Sequence, residues 1–193
     1  AEADKLGEMR YLDGMSWEKD IGMVTEMLHH TDPAPCALFD KVPGCPDGFR
    51  VLTNFFGGKR RGMTIGFPSD MSKLELTDGL AEITETKKPI PHKIVETGPI
   101  MENVITGDDI DMYKYPTPKW HEEDGGRYIG TGSYNVTKDP DEDWINTGTY
   151  RVMIQDKKKV GFYISPGKHG RIHRDKYMAR GEKMPACIVV GGD

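Results

Sequence analysis

Glycine and proline punctuate this chain so densely that long uninterrupted elements are excluded. The 193 residues include 23 glycines and 13 prolines. Together they make about 19% of the chain, above the globular average and below the level of low-complexity sequence. Such spacing predicts many turns and a β-rich fold. Apolar residues are 36%, and a domain of this length can bury a real core. No apolar run approaches the ~20 residues that span a bilayer. Ala1–Arg10 has no apolar segment after a basic one, so no signal peptide is expected. Lys plus Arg number 26 against 31 Asp plus Glu, interspersed in sign. That argues against an acidic disordered tail and against a nucleic-acid surface across the whole chain. Cys36, Cys45 and Cys187 match no zinc-ligand spacing. Three reduced thiols in a cytoplasmic protein are the expectation.

The punctuation sets the element order. Ser16 caps a first helix with Trp17, Ile21, Val24 and Leu28 on one face and His29 and His30 in its last turn. Pro33 and Pro35 end it. Ala37–Val42 and Phe49–Phe55 read as strands. Gly57-Gly-Lys-Arg-Arg-Gly62 is either a solvated turn or an anion or interdomain contact; the Walker A spacing is absent. Ser69 opens a second helix bearing Leu76, Leu80 and Ile83, stopped by Lys87-Lys-Pro-Ile-Pro91. Short strands are expected at 92–96 and 100–105. Asp108–Tyr113 is a capped acidic turn that lacks the Gly and Glu of an EF-hand.

Tyr115-Pro-Thr-Pro118 marks the boundary between a domain of residues 1–114 and one of residues 115–193. Strands are expected at 127–137, 144–155 and 160–164, then a helix at 172–180 ended by Gly181, and a buried strand from Pro185. Trp120-His-Glu-Glu-Asp-Gly-Gly-Arg127 reads as a polar loop with internal ion pairs or as part of a site.

Chemistry-bearing residues gather in this second half. On a strand, Asn146, Gly148 and Tyr150 face one way and Thr147, Thr149 and Arg151 the other. Gly148 permits close approach to the backbone. Arg151 offers a planar fork for carboxylate or phosphate. Pro166-Gly-Lys-His-Gly-Arg-Ile-His173 adds two imidazoles and two cations in a loop. Asn146 oxygen, His169 imidazole, Lys168 and Arg171 are the parts of a phosphate or metal–phosphate site, without an obvious carboxylate.

In order along the chain, Pro118-Lys-Trp-His-Glu-Glu-Asp-Gly-Gly-Arg-Tyr-Ile-Gly-Thr131, Asp139-Pro-Asp141, Asn146-Thr-Gly-Thr-Tyr-Arg151, Gly167-Lys-His-Gly170 and Val190-Gly-Gly-Asp193 resemble the UbiD family of prenylated-flavin-dependent decarboxylases. The resemblance implies a mixed α/β (α+β) chain: an N-terminal α/β domain followed by the first part of a split β-barrel that binds flavin. It implies reversible decarboxylation of an aromatic or α,β-unsaturated carboxylic acid. The implied cofactors are prenylated FMN, a divalent Mn2+-type ion and a K+-type ion. By motif position Asn146 and His169 resemble two metal ligands. Arg151 resembles the Arg of a catalytic Glu-Arg-Glu network. Thr147, Gly148, Thr149, Tyr150 and Lys168 fall at cofactor contacts, as do Asn146, Arg151 and His169. A flavin prenyltransferase would supply the cofactor, and the complete protein would form a homo-oligomer. The third ligand, both glutamates and the oligomerising domain are expected beyond Asp193. The alternatives are a non-catalytic flavin- or metal-binding subunit that completes a site in a partner chain, and a flavin reductase-like barrel. The reductase is disfavoured because no dinucleotide fingerprint is present.

Overall fold

The computed structural model describes residues 2–91 and 93–191. Helix α1 (Glu2–Lys5), strand β1 (Met9–Asp13), helix α2 (Asp20–His29), strands β2 (Cys36–Asp40) and β3 (Val51–Thr53), and helices α3 (Arg60–Met63) and α4 (Lys73–Thr86) form the first part. Strands β4 (Tyr128–Gly130), β5 (Tyr134–Lys138), β6 (Ile145–Gly148), β7 (Arg151–Ile154) and β8 (Val160–Tyr163), helix α5 (His169–Ala179) and strand β9 (Ala186–Val189) form the second. The chain is mixed helix and sheet, as the family resemblance implies, rather than the β-rich fold that the glycine and proline content suggests. The cysteines are free thiols.

The first sheet has the order β1-β2-β3, with β1 parallel and β3 antiparallel to β2. Helix α2 closes it. Ile21, Ala37 and Phe39 are fully buried beside Val42, with Trp17, Val24 and Leu28 packed around them. Each large side chain so buried stabilises by about 1.5–3 kcal/mol. The helix begins at Asp20, later than Ser16 suggests. Ser16 Oγ accepts the Glu18 N–H and the Asp20 carboxylate accepts the Ser16 N–H, so Ser16 shapes a lead-in turn instead. Strand β1, unforeseen from the sequence, shows little apolar alternation and stands at the sheet edge.

The Gly57–Gly62 segment is neither solvated turn nor anion contact at its centre. Arg60 is 1% exposed. Its guanidinium pairs with Glu8 and donates to the carbonyls of Ala34 and Asn54 at 2.8 and 2.7 Å. Gly58 has φ +54°, and a Cβ there would meet the Glu8 carboxylate at 2.7 Å, so glycine is required at this turn.

Helix α4 is capped by Ser72, not Ser69. Ser72 and Glu75 form a reciprocal capping box. Leu76 is buried, while Leu80 and Ile83 remain 44% and 38% exposed. The two strands expected between 92 and 105 do not form. His92 lies outside the described residues; Lys93–Glu96 has no regular structure, and Pro99–Met101 is a 3-10 turn. Pro89, Pro91 and Pro99 remove donors, and no strand pairs with this segment among the described residues. At the acidic turn Asp111 caps Tyr113.

The segment around Pro116–Pro118 is buried and packs back on the first core. Lys119 N–H donates to the Trp17 carbonyl at 3.0 Å, Trp120 joins the apolar cluster, and Tyr115 meets Phe49 edge-to-face. Arg127 spends its donors on the carbonyls of Tyr115 and Thr117 and lies over the Trp17 ring. The 120–127 loop is therefore polar, with an arginine tied to backbone and aromatic ring rather than to the acids expected.

Beyond it lie two antiparallel sheets, β4-β7-β8 and β6-β5-β9. Two expected strands each divide. Residues 127–137 break at a bend over 131–132 into β4 and β5. Residues 144–155 break at Thr149–Tyr150, where the chain leaves one sheet and enters the other. Strand β9 is an exposed edge, with Ala186 and Cys187 open to solvent, rather than the buried strand expected. Helix α5 begins at His169, three residues earlier than its apolar pattern indicates, and packs on β5 and β6.

Candidate active site

The alternation from Asn146 to Arg151 survives the change of sheet. Asn146 and Tyr150 are buried and Gly148 is half-buried, while Thr147, Thr149 and Arg151 are exposed. A Cβ on Gly148 would meet the Tyr150 ring at 2.5 Å. Glycine here lets Tyr150 fold back beneath its own strand.

Tyr150 ties the strand to helix α5. Its hydroxyl accepts from Asn146 Nδ2 and from the Gly170 N–H, both at 3.2 Å. Asn146 Nδ2 also donates to Thr137 Oγ1 at 3.2 Å. The amide nitrogen is thereby committed, whereas Asn146 Oδ1 accepts no hydrogen bond among the described residues. His169 and Lys168 stand exposed at the start of α5. Trp144 packs edge-to-face against His169 at 4.9 Å and against His173 at 4.6 Å. Asn146 and the first turn of α5 are thus brought together, with Tyr150 between them. Arg171, one of the loop cations, belongs to the helix instead and pairs with Asp175.

Sequence reasoning missed a buried polar cluster behind this face. His173 is fully buried. Its Nδ1 lies 3.0 Å from Thr137 Oγ1 and its Nε2 lies 3.7 Å from the Asp139 carboxylate. Burial holds the His173 pKa below the ordinary value; Asp139 opposes that shift, and Lys176 and His169 reinforce it. Asp139 accepts from Lys176 Nζ at 2.7 Å and from the Asp141 and Glu142 N–H groups. The Lys176 hydrogen bond holds its carboxyl below the usual range. The available signal was His173 itself, four residues after His169 and so on the same face of a helix.

Arg151 lies on the opposite face from Asn146. It lines an open cleft of about 410 Å³ with Tyr128, Met153, Gly161, Phe162 and Tyr163, and it has no ion-pair partner among the described residues. Thr147 and Thr149 share its side of the strand. Among the described residues, no group of three His, Cys, Asp or Glu side chains is arranged to hold a metal ion, and no helix is long and apolar enough to cross a membrane.

The chain as a whole is similar to known proteins. The family model of UbiD, the 3-octaprenyl-4-hydroxybenzoate carboxy-lyase Rift-related domain, matches residues 93–193. The pyrrole-2-carboxylic acid decarboxylase of Pseudomonas aeruginosa is 29% identical over 184 residues, covering 89% of this chain and 36% of that enzyme. The closed form of Sedimentibacter hydroxybenzoicus vanillic acid decarboxylase superposes with a TM-score of 0.90 at 25% identity, covering 99% of this chain and 41% of that one. An evolved dimeric form of the UbiD-class enzyme HmfF from Pelotomaculum thermopropionicum, solved with prFMN, shares the fold with a TM-score of 0.82 at 21% identity, over 98% of this chain and 42% of that one. The chain spans about a third of the length of the curated relative. With its family match over residues 93–193 and its mixed helix-and-sheet fold, this chain belongs to the UbiD family.

Proposed function

We propose that this chain is the N-terminal part of a UbiD-like carboxy-lyase that reversibly decarboxylates an aromatic or α,β-unsaturated carboxylic acid with prenylated FMN and a divalent ion such as Mn2+. The observation that carries this reading is the Asn146–Tyr150–Gly170 connection, which ties Asn146, whose amide oxygen accepts no hydrogen bond among the described residues, to the first turn of α5. The donor set fits the cofactors. Asn146 Oδ1 is a hard oxygen without a hydrogen-bond partner among the described residues, and His169 supplies an imidazole. Lys168 and the N-terminus of α5 present positive charge suited to a phosphate. A carboxylate ligand from elsewhere in the complete protein would finish the metal site. The same reading assigns residues 1–114 and 115–193 to two domains. Each sheet draws its strands from one side of that division.

Prenylated FMN, when bound, supplies the electron sink that loss of carbon dioxide requires. The residues of this chain orient and hold. Arg151 offers its fork to the substrate carboxylate from the exposed face of β7. Thr147, Gly148 and Thr149 line the approach to the strand, and Tyr150 keeps Asn146 and α5 in register. Protonation of the product carbon falls to glutamates of the complete enzyme. A flavin prenyltransferase supplies the cofactor, and the complete enzyme assembles as a homo-oligomer.

The test uses the complete enzyme co-expressed with a flavin prenyltransferase. Asn146→Ala and His169→Ala are expected to lose bound metal and flavin absorbance. Wild-type metal content and spectrum in both variants would sink the assignment.

A further inference from the structure

We propose that Thr137 and His173 fix which way the Asn146 side-chain amide points, so that its carbonyl oxygen is the atom offered to the divalent ion. This rests on the metal site proposed above.

The argument is donor and acceptor bookkeeping in a buried space. Thr137, Asn146 and His173 are 1%, 7% and 0% exposed, so solvent cannot repair a mismatched pair. His173 Nε2 faces the Asp139 carboxylate at 3.7 Å. A lone pair on that nitrogen would meet another acceptor, so the Nε2–H tautomer is favoured. His173 Nδ1 then carries the lone pair and accepts the Thr137 hydroxyl proton across 3.0 Å. Having given up its only proton, Thr137 Oγ1 can only accept from Asn146. The nearest Asn146 atom must therefore be Nδ2, as found at 3.2 Å. The second Nδ2 proton goes to Tyr150, and Oδ1 is left without a hydrogen-bond partner among the described residues. His173 Nε2 makes no hydrogen bond among the described residues; the Asp139 carboxylate, held in place by Lys176 and two backbone N–H groups, acts on the tautomer through its charge alone. Were Thr137 to donate to Asn146 instead, the amide would turn over and present NH2 to the cation. Thr137 and His173 hold neither the ion nor the substrate and act through Asn146; they are positioning residues.

The experiment titrates the complete enzyme with Mn2+ and follows the six-line EPR signal of the free ion. Asn146→Ala is the reference for a lost ligand, and melting curves confirm that each variant is folded. Thr137→Val keeps the shape but removes the hydroxyl, and it is expected to weaken Mn2+ binding about 10–100-fold, as loss of an outer-shell partner does. Thr137→Ser restores the hydroxyl and is expected to bind close to wild type, which a purely packing role for the side chain would not produce. His173→Phe removes the acceptor with little change in shape and is expected to follow Thr137→Val; it carries the test if Thr137→Val does not fold. Wild-type affinity in Thr137→Val and His173→Phe, with affinity lost in Asn146→Ala, overturns the positioning role and leaves the metal site standing. Wild-type affinity in Asn146→Ala overturns the metal site and the positioning role together.

Discussion

Beneath α2 the buried side chains are Ile21, Ala37, Phe39 and Val42; beside α5, next to Tyr150 and Ile164, a polar set of Thr137, Asp139, Asn146 and His173 is buried. The first interior is hydrocarbon. Its contacts are non-directional, and similar volumes can replace one another at modest cost. The second adds hydrogen-bonding groups, each of which needs a particular partner in a particular direction. An interior of that second kind is an expensive way to stabilise a sheet. It is a good way to hold an amide or an imidazole in a defined orientation. The buried Arg60–Glu8 pair shows that the first part also uses polar burial, but there the guanidinium is spent on an acid and two carbonyls. Arg151, exposed and without an ion-pair partner, is the contrasting arginine.

The sharpest break of this contrast is Arg151→Ala. In the complete enzyme it is expected to cost about 10²–10⁴-fold in turnover, the range for a group acting on a reacting centre, with flavin spectrum and metal content retained. Turnover near the wild-type rate would make Arg151 another surface cation. On the hydrocarbon side, Phe39→Ala is expected to destabilise by about 3–5 kcal/mol. Urea denaturation of the purified chain measures it, and a loss below about 1 kcal/mol would mean the apolar cluster carries little of the fold.

What was legible in the sequence divides along the same line. Helix α2 and the 146–151 alternation announce themselves because their periodicity is local. The break at Thr149–Tyr150 does not, because alternation runs through it unbroken and only sheet pairing records the change of partner. The start of α5 was hidden by Gly167 and Gly170, which read as loop. Gly170 sits within the helix because the Tyr150 hydroxyl would lie 3.0 Å from any Cβ there. His173 read as one imidazole of a polar loop, since its burial depends on Thr137, 36 residues away in sequence. Asn146, Arg151 and His169 were singled out through ordered motifs, not through any local physical signal strong enough alone, and their roles remain proposals.

The smallest effect is a pH slope in the polar interior. The unfolded chain protonates His173 near its ordinary value of 6.5, whereas the folded chain does so only at lower pH. Between those two values the unfolded state binds more protons. The stabilising contribution is therefore complete above 6.5 and is lost as pH falls through the folded value. The melting temperature of wild type is expected to drop more steeply below pH 6.5 than that of His173→Gln. Parallel curves would show that burial of this imidazole is not linked to protons.

The crossing from β6 to β7 makes the six residues Asn146–Arg151 into a ruler. Asn146 ends up buried and Arg151 exposed because an odd number of steps separates them along an extended chain. The span between their Cα atoms is bounded at about 17 Å by the reach of an extended chain. Substitution at Thr147 or Thr149 changes what the ruler is lined with. Insertion or deletion of a single residue would turn one of its two ends onto the wrong face.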